Sequence, residues 1–379
     1  MISEPTYLAA RMVAGTLETH FGKQWEQAGS REQAREHLPR STFIEAIIDA
    51  AFWASLQREE GYSPKISLAF LEPKHTRNPL IFGQKVRLTP YNLVKLSPAV
   101  THPGIHLGVW HEDNDLYIWG STHVIPELCF VLEVVDPGLL VVKHKQTSGF
   151  GKFANVAILN ADQIKVIDRN SQATGPCTSL LNSLLGKHMS LLTGESVNVL
   201  VELAASIRSH AKGALVLVVP AGTQQWRESV IHPISYPVIP AFDTLTDLMQ
   251  MDQSQRGTPE WHESFIRAID IVGGFTAVDG ATVLTRDHTL LAFGAKVARA
   301  SVSAPAEEVM MTEPVAGVEP TIVHPAKIGG TRHLAAAQFV HDQRDAMALV
   351  ASQDGRFTVF VWSDSLNMVH AHRIDVLLL

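Results

Sequence analysis

Gly329-Gly330-Thr331-Arg332-His333 sets two bare backbone units beside a hydroxyl, a guanidinium and an imidazole, directly ahead of the run Leu334-Ala335-Ala336-Ala337. Glycines let a backbone approach an anion closely, a guanidinium forks onto phosphate oxygens, and a helix start offers unpaired N–H groups. The combination suits a polyphosphate. Asp279-Gly280-Ala281 lies upstream in an alternating apolar segment, where a carboxylate followed by glycine can hold a divalent cation beside a nucleotide. Taken singly, each segment has an ordinary structural explanation, since Asp-Gly is a turn signal and Gly-Thr a common helix start. Their pairing points to nucleotide chemistry.

These segments, in this order, resemble the diadenylate cyclase family, which joins two ATP molecules into cyclic di-AMP. The family's Asp-Gly-Ala element matches Asp279-Gly280-Ala281, and its Gly-Thr-Arg-His-Arg-Ala-Ala element is similar to Gly330-Thr331-Arg332-His333-Leu334-Ala335-Ala336. His210-Ala211-Lys212-Gly213-Ala214-Leu215-Val216-Leu217-Val218 resembles the strand that opens that domain. The likeness runs from the neighbourhood of Ser196 to the C-terminus. It implies catalytic roles for Asp279, Arg332 and His333, with Asp279 binding Mg²⁺ or Mn²⁺, and nucleotide contacts from Gly280, Ala281, Gly330, Thr331 and Ser352. It also implies ATP as substrate and at least a homodimer, because each 3′-hydroxyl must attack the other nucleotide's α-phosphate. Two positions depart from the family pattern: Leu334 replaces a cation, and Gln353 replaces the acidic residue expected after Ser352, with Asp354 next in line. A catalytically silent nucleotide-binding module therefore stays open, as does a cyclic dinucleotide synthase of different base preference.

Residues 61–170, rich in short β-runs, resemble the sensor-like module that often precedes such domains, with an unknown small molecule or protein as regulator. The expected organisation is an N-terminal helical region over 1–60, a β-rich domain over 61–170 and a cyclase-like domain over 177–379. The fold class is α/β in the broad sense (α+β), with a mixed sheet in the C-terminal domain.

Several function classes are excluded by composition. A net charge of −7 opposes non-specific binding to nucleic acid or a membrane surface, both of which need a basic field. Cys129 and Cys177 are too few for a disulfide framework, and no apolar run reaches membrane-helix length, so the expectation is a cytoplasmic chain. The 18 histidines are scattered without metal-site spacing; His102, His106 and His111 cluster in the β-rich region and are read as structural, with ligand sensing as the alternative. Ser148-Gly149-Phe150-Gly151-Lys152 lacks the spacing of a phosphate loop.

The positioning elements are partly legible. Thr42 and Glu45 suggest a capping box, after which Phe43, Ile44, Ile47, Ile48, Ala51, Phe52 and Leu56 recur at helical spacing. Apolar runs flanking 112–115, 136–138 and 160–162 predict three hairpins, and Arg169–Pro176 reads as a linker. A helix is predicted with Val197, Leu200, Val201, Ala204 and Ile207 on one face, followed by a strand over Ala214–Val219. Thr258-Pro259 predicts a helix start, with Trp261, Phe265, Ile269 and Val272 inside and a stop at Gly273-Gly274. Strands are expected over 276–284, 290–293, 346–351 and 357–361, and a flexible insertion between Ala300 and Pro320. Trp110 and Trp119 are expected in the core.

Overall fold

The computed structural model describes residues 4–27, 38–145, 153–168, 178–184 and 197–379. The segments 148–152 and 169–176, and Cys177, lie outside the described residues. The chain forms two compact units, residues 1–167 with Leu379 and residues 168–378.

In the first unit, helices α1 (Leu8–Gln27), α2 (Ser41–Ser55) and α3 (Pro90–Leu96) accompany eight strands. These are β1 (Ile66–Phe70), β2 (Leu80–Arg87), β3 (His106–Glu112), β4 (Asp115–Thr122), β5 (Phe130–Asp136), β6 (Leu139–Lys145), β7 (Phe153–Asn160) and β8 (Gln163–Val166). The sheet order is β2-β4-β3-β1-β5-β6-β7-β8, with β1 and β3 parallel and the other neighbours antiparallel. All three predicted hairpins form. They turn through positive φ at Asp113, Gly138 and Ala161, a conformation that two-residue turns demand. Leu17 and Phe21 of α1 and Ile44, Ile47 and Ile48 of α2 share one core with Leu68, Leu107, Ile118, Leu132 and Val142 of the sheet. On the sheet's other face Trp119 is buried and donates its indole N–H to Leu71 O at 2.8 Å.

The predicted capping box at Thr42 and Glu45 does not form. Helix α2 begins at Ser41, whose N–H donates to Glu18 of α1 at 3.0 Å, while Glu45 pairs with Arg11 at 3.0 Å. The neighbouring helix supplies both partners, so local spacing could not reveal them.

The second unit contains α4 (Thr178–Leu184), α5 (Val199–His210), α6 (Thr244–Gln250), α7 (Gln253–Arg256), α8 (Pro259–Thr276) and α9 (Thr331–Asp342). Its strands are β9 (Ala214–Val219), β10 (Tyr236–Phe242), β11 (Ala281–Thr285), β12 (Leu290–Ala295), β13 (Val309–Thr312), β14 (Thr321–Val323), β15 (Met347–Ala351), β16 (Phe357–Ser363) and β17 (Met368–Arg373). The mixed sheet runs β10-β12-β11-β9-β15-β16-β17-β13-β14. Strand β9 is buried at every position, as a central strand covered on both faces must be. On one face, Ala336, Ala337, Phe339 and Val340 of α9 pack against Leu215, Leu217, Val350 and Phe360.

Three expectations in this unit are corrected. Helix α8, capped by Thr258 as predicted, continues through Gly273-Gly274 to Thr276. Gly273 serves helix packing rather than termination: a Cβ there would lie 2.3 Å from Ser206 Oγ on α5. The following strand starts only at Ala281, so Asp279 sits in a bend ahead of it and not inside a strand. Residues 300–320 are ordered, not a flexible insertion. Ala300 N–H donates to Asp342 at 2.8 Å, Ala306 N–H donates to Gln338 at 3.0 Å, and β13 pairs with β17. Those anchors come from α9 and β17, distant in sequence, which is why the segment shows no local periodicity.

Candidate functional site

Sheet register gathers the sequence-predicted elements of the second unit at one end. Strand β11 pairs Ala281 with Leu215 in parallel, and β15 pairs Ala351 with Ala214 antiparallel. The first residues of β9 and β11 and the last residue of β15 therefore lie side by side. Asp279-Gly280, Gly213 and Ser352 each fall one or two residues beyond those ends. With neighbouring strands about 4.8 Å apart, the outer two turns stand about 10 Å from each other with Gly213 between them.

Arg332 reaches the same end from α9. Its guanidinium lies over Gly213, where a Cβ would meet Nη1 at 2.9 Å and Cζ at 3.3 Å. Gly213 has φ +37°, a conformation glycine tolerates far better than other residues. Arg332 is half-buried and makes no hydrogen bond or ion pair with the described residues, and the exposed carboxylate of Asp279 makes none either. A cation and an anion are thus both available to an outside group. Gly330 is the N-cap of α9, and no side chain caps the helix. The first N–H groups there, with exposed Thr331 beside them, form the kind of positive end that attracts anions.

Gly280 has φ +102°, and a Cβ on it would fall 2.6 Å from the backbone carbon of Gly294 in β12. The Asp279-Gly280 turn is therefore pressed against a neighbouring strand's backbone and rigidly placed. Ala281 is buried at the strand start.

His333, the next residue of α9, is buried where Arg332 is not. The side chain is 2% exposed, packs on Gly329, and meets Phe360 edge-on at 6.1 Å. Burial first, then the positive charge of Arg373, push its pKa down to about 4; Asp354 opposes this and Arg356 adds to it. The ring is turned into the core, and its Nε2 has no hydrogen-bond partner among the described residues. Ser352 opens the β15–β16 turn, where its N–H donates to Arg356 O at 2.9 Å. Gln353 and Asp354 lie in that turn, and Asp354 pairs with Arg356 at 3.3 Å. Leu334 points outward, 38% exposed.

A cavity of about 110 Å³ adjoins this end, lined in part by Arg208, Gly213, Ser352 and Arg356. That volume holds a few waters at most. A group larger than that would have to lie along the open sheet end rather than inside it. No motif role in the sequence marks Gly213 or Arg356; Gly213 stands out locally by its place directly before a six-residue apolar strand.

Among the described residues no group of three histidine, cysteine, aspartate or glutamate side chains could hold a metal ion. A lone free carboxylate fits a Mg²⁺ or Mn²⁺ that arrives on a triphosphate, because such ions are commonly held by one or two carboxylates plus phosphate oxygens. In the first unit, His106 is buried and accepts or donates a 2.7 Å hydrogen bond with Ser67 Oγ, and burial pushes its pKa down to about 4. His111 stacks on Phe43 at 4.8 Å. No helix among the described residues is long and apolar enough to cross a membrane.

No curated protein matches the chain. Residues 33–123, which span α2 to the start of the turn after β4, match a family model described as probable sensor domain DACNV.

Proposed function

We propose that this chain is a diadenylate cyclase whose N-terminal unit carries the sensor-like module and whose second unit carries the nucleotide site. The observation supporting the reading is the convergence of Asp279-Gly280, Gly213 under Arg332, and Ser352 on one end of the mixed sheet. The match of residues 33–123 to a sensor domain fits a regulated enzyme of this kind.

In this reading the triphosphate docks at the uncapped start of α9. The N–H groups there and Thr331 bind phosphate oxygens, and Arg332 forks onto them from above Gly213. Gly280 keeps the turn close enough for backbone contact with the nucleotide. Asp279 would hold Mg²⁺ or Mn²⁺ accompanying ATP, which would supply charge neutralisation at the phosphates. The 3′-oxygen of one ATP forms a bond to the α-phosphorus of the other, the bond to the β-phosphate oxygen breaks, and pyrophosphate departs. The hydroxyl proton passes to solvent. Arg332 disperses charge on the leaving group, and pre-placement of these groups supplies the catalysis. Two such steps close the ring, so two chains must present their sites to each other.

A second reading, a nucleotide-binding module without turnover, draws support from two observations: His333 is neutral and buried, and Asp354 is engaged by Arg356. Incubating the full chain with ATP and Mg²⁺ or Mn²⁺ separates the two. Cyclic di-AMP in the products supports the enzyme; ATP binding by calorimetry without product supports the silent module. Competition with GTP tests base preference.

A further inference from the structure

We propose that the first unit holds a binding site for a small organic cation with a flat or apolar body, in a cleft beside α2. The cleft has a volume of about 450 Å³, within the range of small-molecule sites. Its floor is one face of α2, where Ala46, Asp49, Ala50 and Trp53 recur at i, i+3, i+4 and i+7. The two alanines leave a depression between a carboxylate and an indole.

Each feature of that face is fixed in place. Asp49 Oδ1 accepts the N–H groups of Thr6 at 2.8 Å and Tyr7 at 2.7 Å, which leaves Oδ2 without a partner among the described residues. The indole N–H of Trp53 donates to Thr6 Oγ1 at 2.9 Å, which sets the plane of the ring while 39% of the residue stays exposed. The opposite wall is equally firm. Thr89 caps α3 by accepting the Asn92 N–H at 3.2 Å, and Asn92 donates in turn to Arg87 O at 2.9 Å. Leu88, Pro90 and Leu116 give that wall an apolar surface.

Charge then selects the occupant. Asp115 is engaged by Arg87 at 3.1 Å and by the amino terminus of the chain, which leaves the carboxylates of Glu4 and Asp49 as the uncompensated charges of the cleft among the described residues. An anion is repelled; an ammonium or guanidinium is attracted to Asp49 and to the face of Trp53, while its flat or apolar body lies between the alanines and Leu116. Every lining residue except Glu4 and Thr6 falls within the 33–123 segment matched by the sensor-domain model, so the cleft belongs to the part of the chain described as sensory. The site is independent of the cyclase reading.

The test is isothermal titration of the full chain with tyramine, agmatine and choline, with 4-ethylphenol and 4-hydroxyphenylacetate as the neutral and anionic counterparts of tyramine. Saturable binding of at least one amine is expected, weakened about tenfold in both Asp49→Asn and Trp53→Ala, with neither counterpart bound. Asparagine retains the oxygen that accepts from Thr6 and Tyr7, and thermal melts verify that both variants fold. The proposal is overturned if none of the three amines binds, if binding is unchanged in the variants, or if the anion binds as well as the amine. Cyclic di-AMP production, or its absence, bears on none of these outcomes.

Discussion

The guanidinium of Arg332 rests on the backbone of Gly213, its Nη1 2.9 Å from where a Cβ would stand. This contact links the start of α9 to the start of β9 and brings an unpaired cation to the sheet end where Asp279 and Ser352 also lie.

Gly213→Ala should displace that guanidinium, because the side-chain end yields more readily than the backbone. The positive φ adds a conformational cost of about 1 kcal/mol. Calorimetry should show ATP affinity falling about tenfold, and a thermal melt a modest loss of stability. Unchanged affinity would separate Arg332 from phosphate binding.

On the proposed cyclase function, Arg332→Ala should weaken ATP binding and abolish turnover, whereas Asp279→Asn should abolish turnover with far less loss of nucleotide affinity. Both residues lack partners among the described residues, so neither change should lower the melting temperature appreciably. Product formation measured by chromatography beside the melts checks this; full activity in both variants would move the site elsewhere.

Gly280→Ala is predicted to be structurally costly. Its Cβ would sit 2.6 Å from the backbone of Gly294 in a positive-φ conformation, and backbone cannot yield as a side chain does. A loss of about 2 kcal/mol or more is expected in denaturant unfolding. Loss of function in this variant would accompany loss of stability, unlike that in Asp279→Asn.

Acid should destabilise the second unit. Burial holds His333 and His370 near 4 and His372 near 3, against 6.5 in the unfolded chain. The unfolded state therefore binds more protons below pH 6.5, and stability falls with pH from there down to the folded values. Each histidine contributes about 2 kcal/mol between pH 7 and 5. Unfolding midpoints at the two pH values check the sign, and His333→Gln should flatten part of the slope.

Local sequence signals specify most of the elements in which the deciding residues are near neighbours. Hairpins announced by turn residues formed where expected, and Thr258-Pro259 started a helix because cap and ring act within one turn. The buried run Ala214–Val219 became a central strand, as continuous apolarity requires. Interactions with distant partners decided the rest. Glu18 took the place of the Thr42 cap, Ser206 turned Gly273 from a helix stop into a packing contact, and Gln338 and Asp342 ordered a segment without periodicity. The Asp-Gly and Gly-Thr-Arg-His motifs supply the residue types of the candidate site. Only the register of β11, β9 and β15 placed Asp279 beside Gly213 and Ser352, and only packing turned His333 into the core while leaving Arg332 at the surface. Neighbouring helix residues point in different directions, so where a helix docks on the sheet selects which of them meets solvent. That docking depends on contacts spread across the whole unit, which no single stretch of sequence contains.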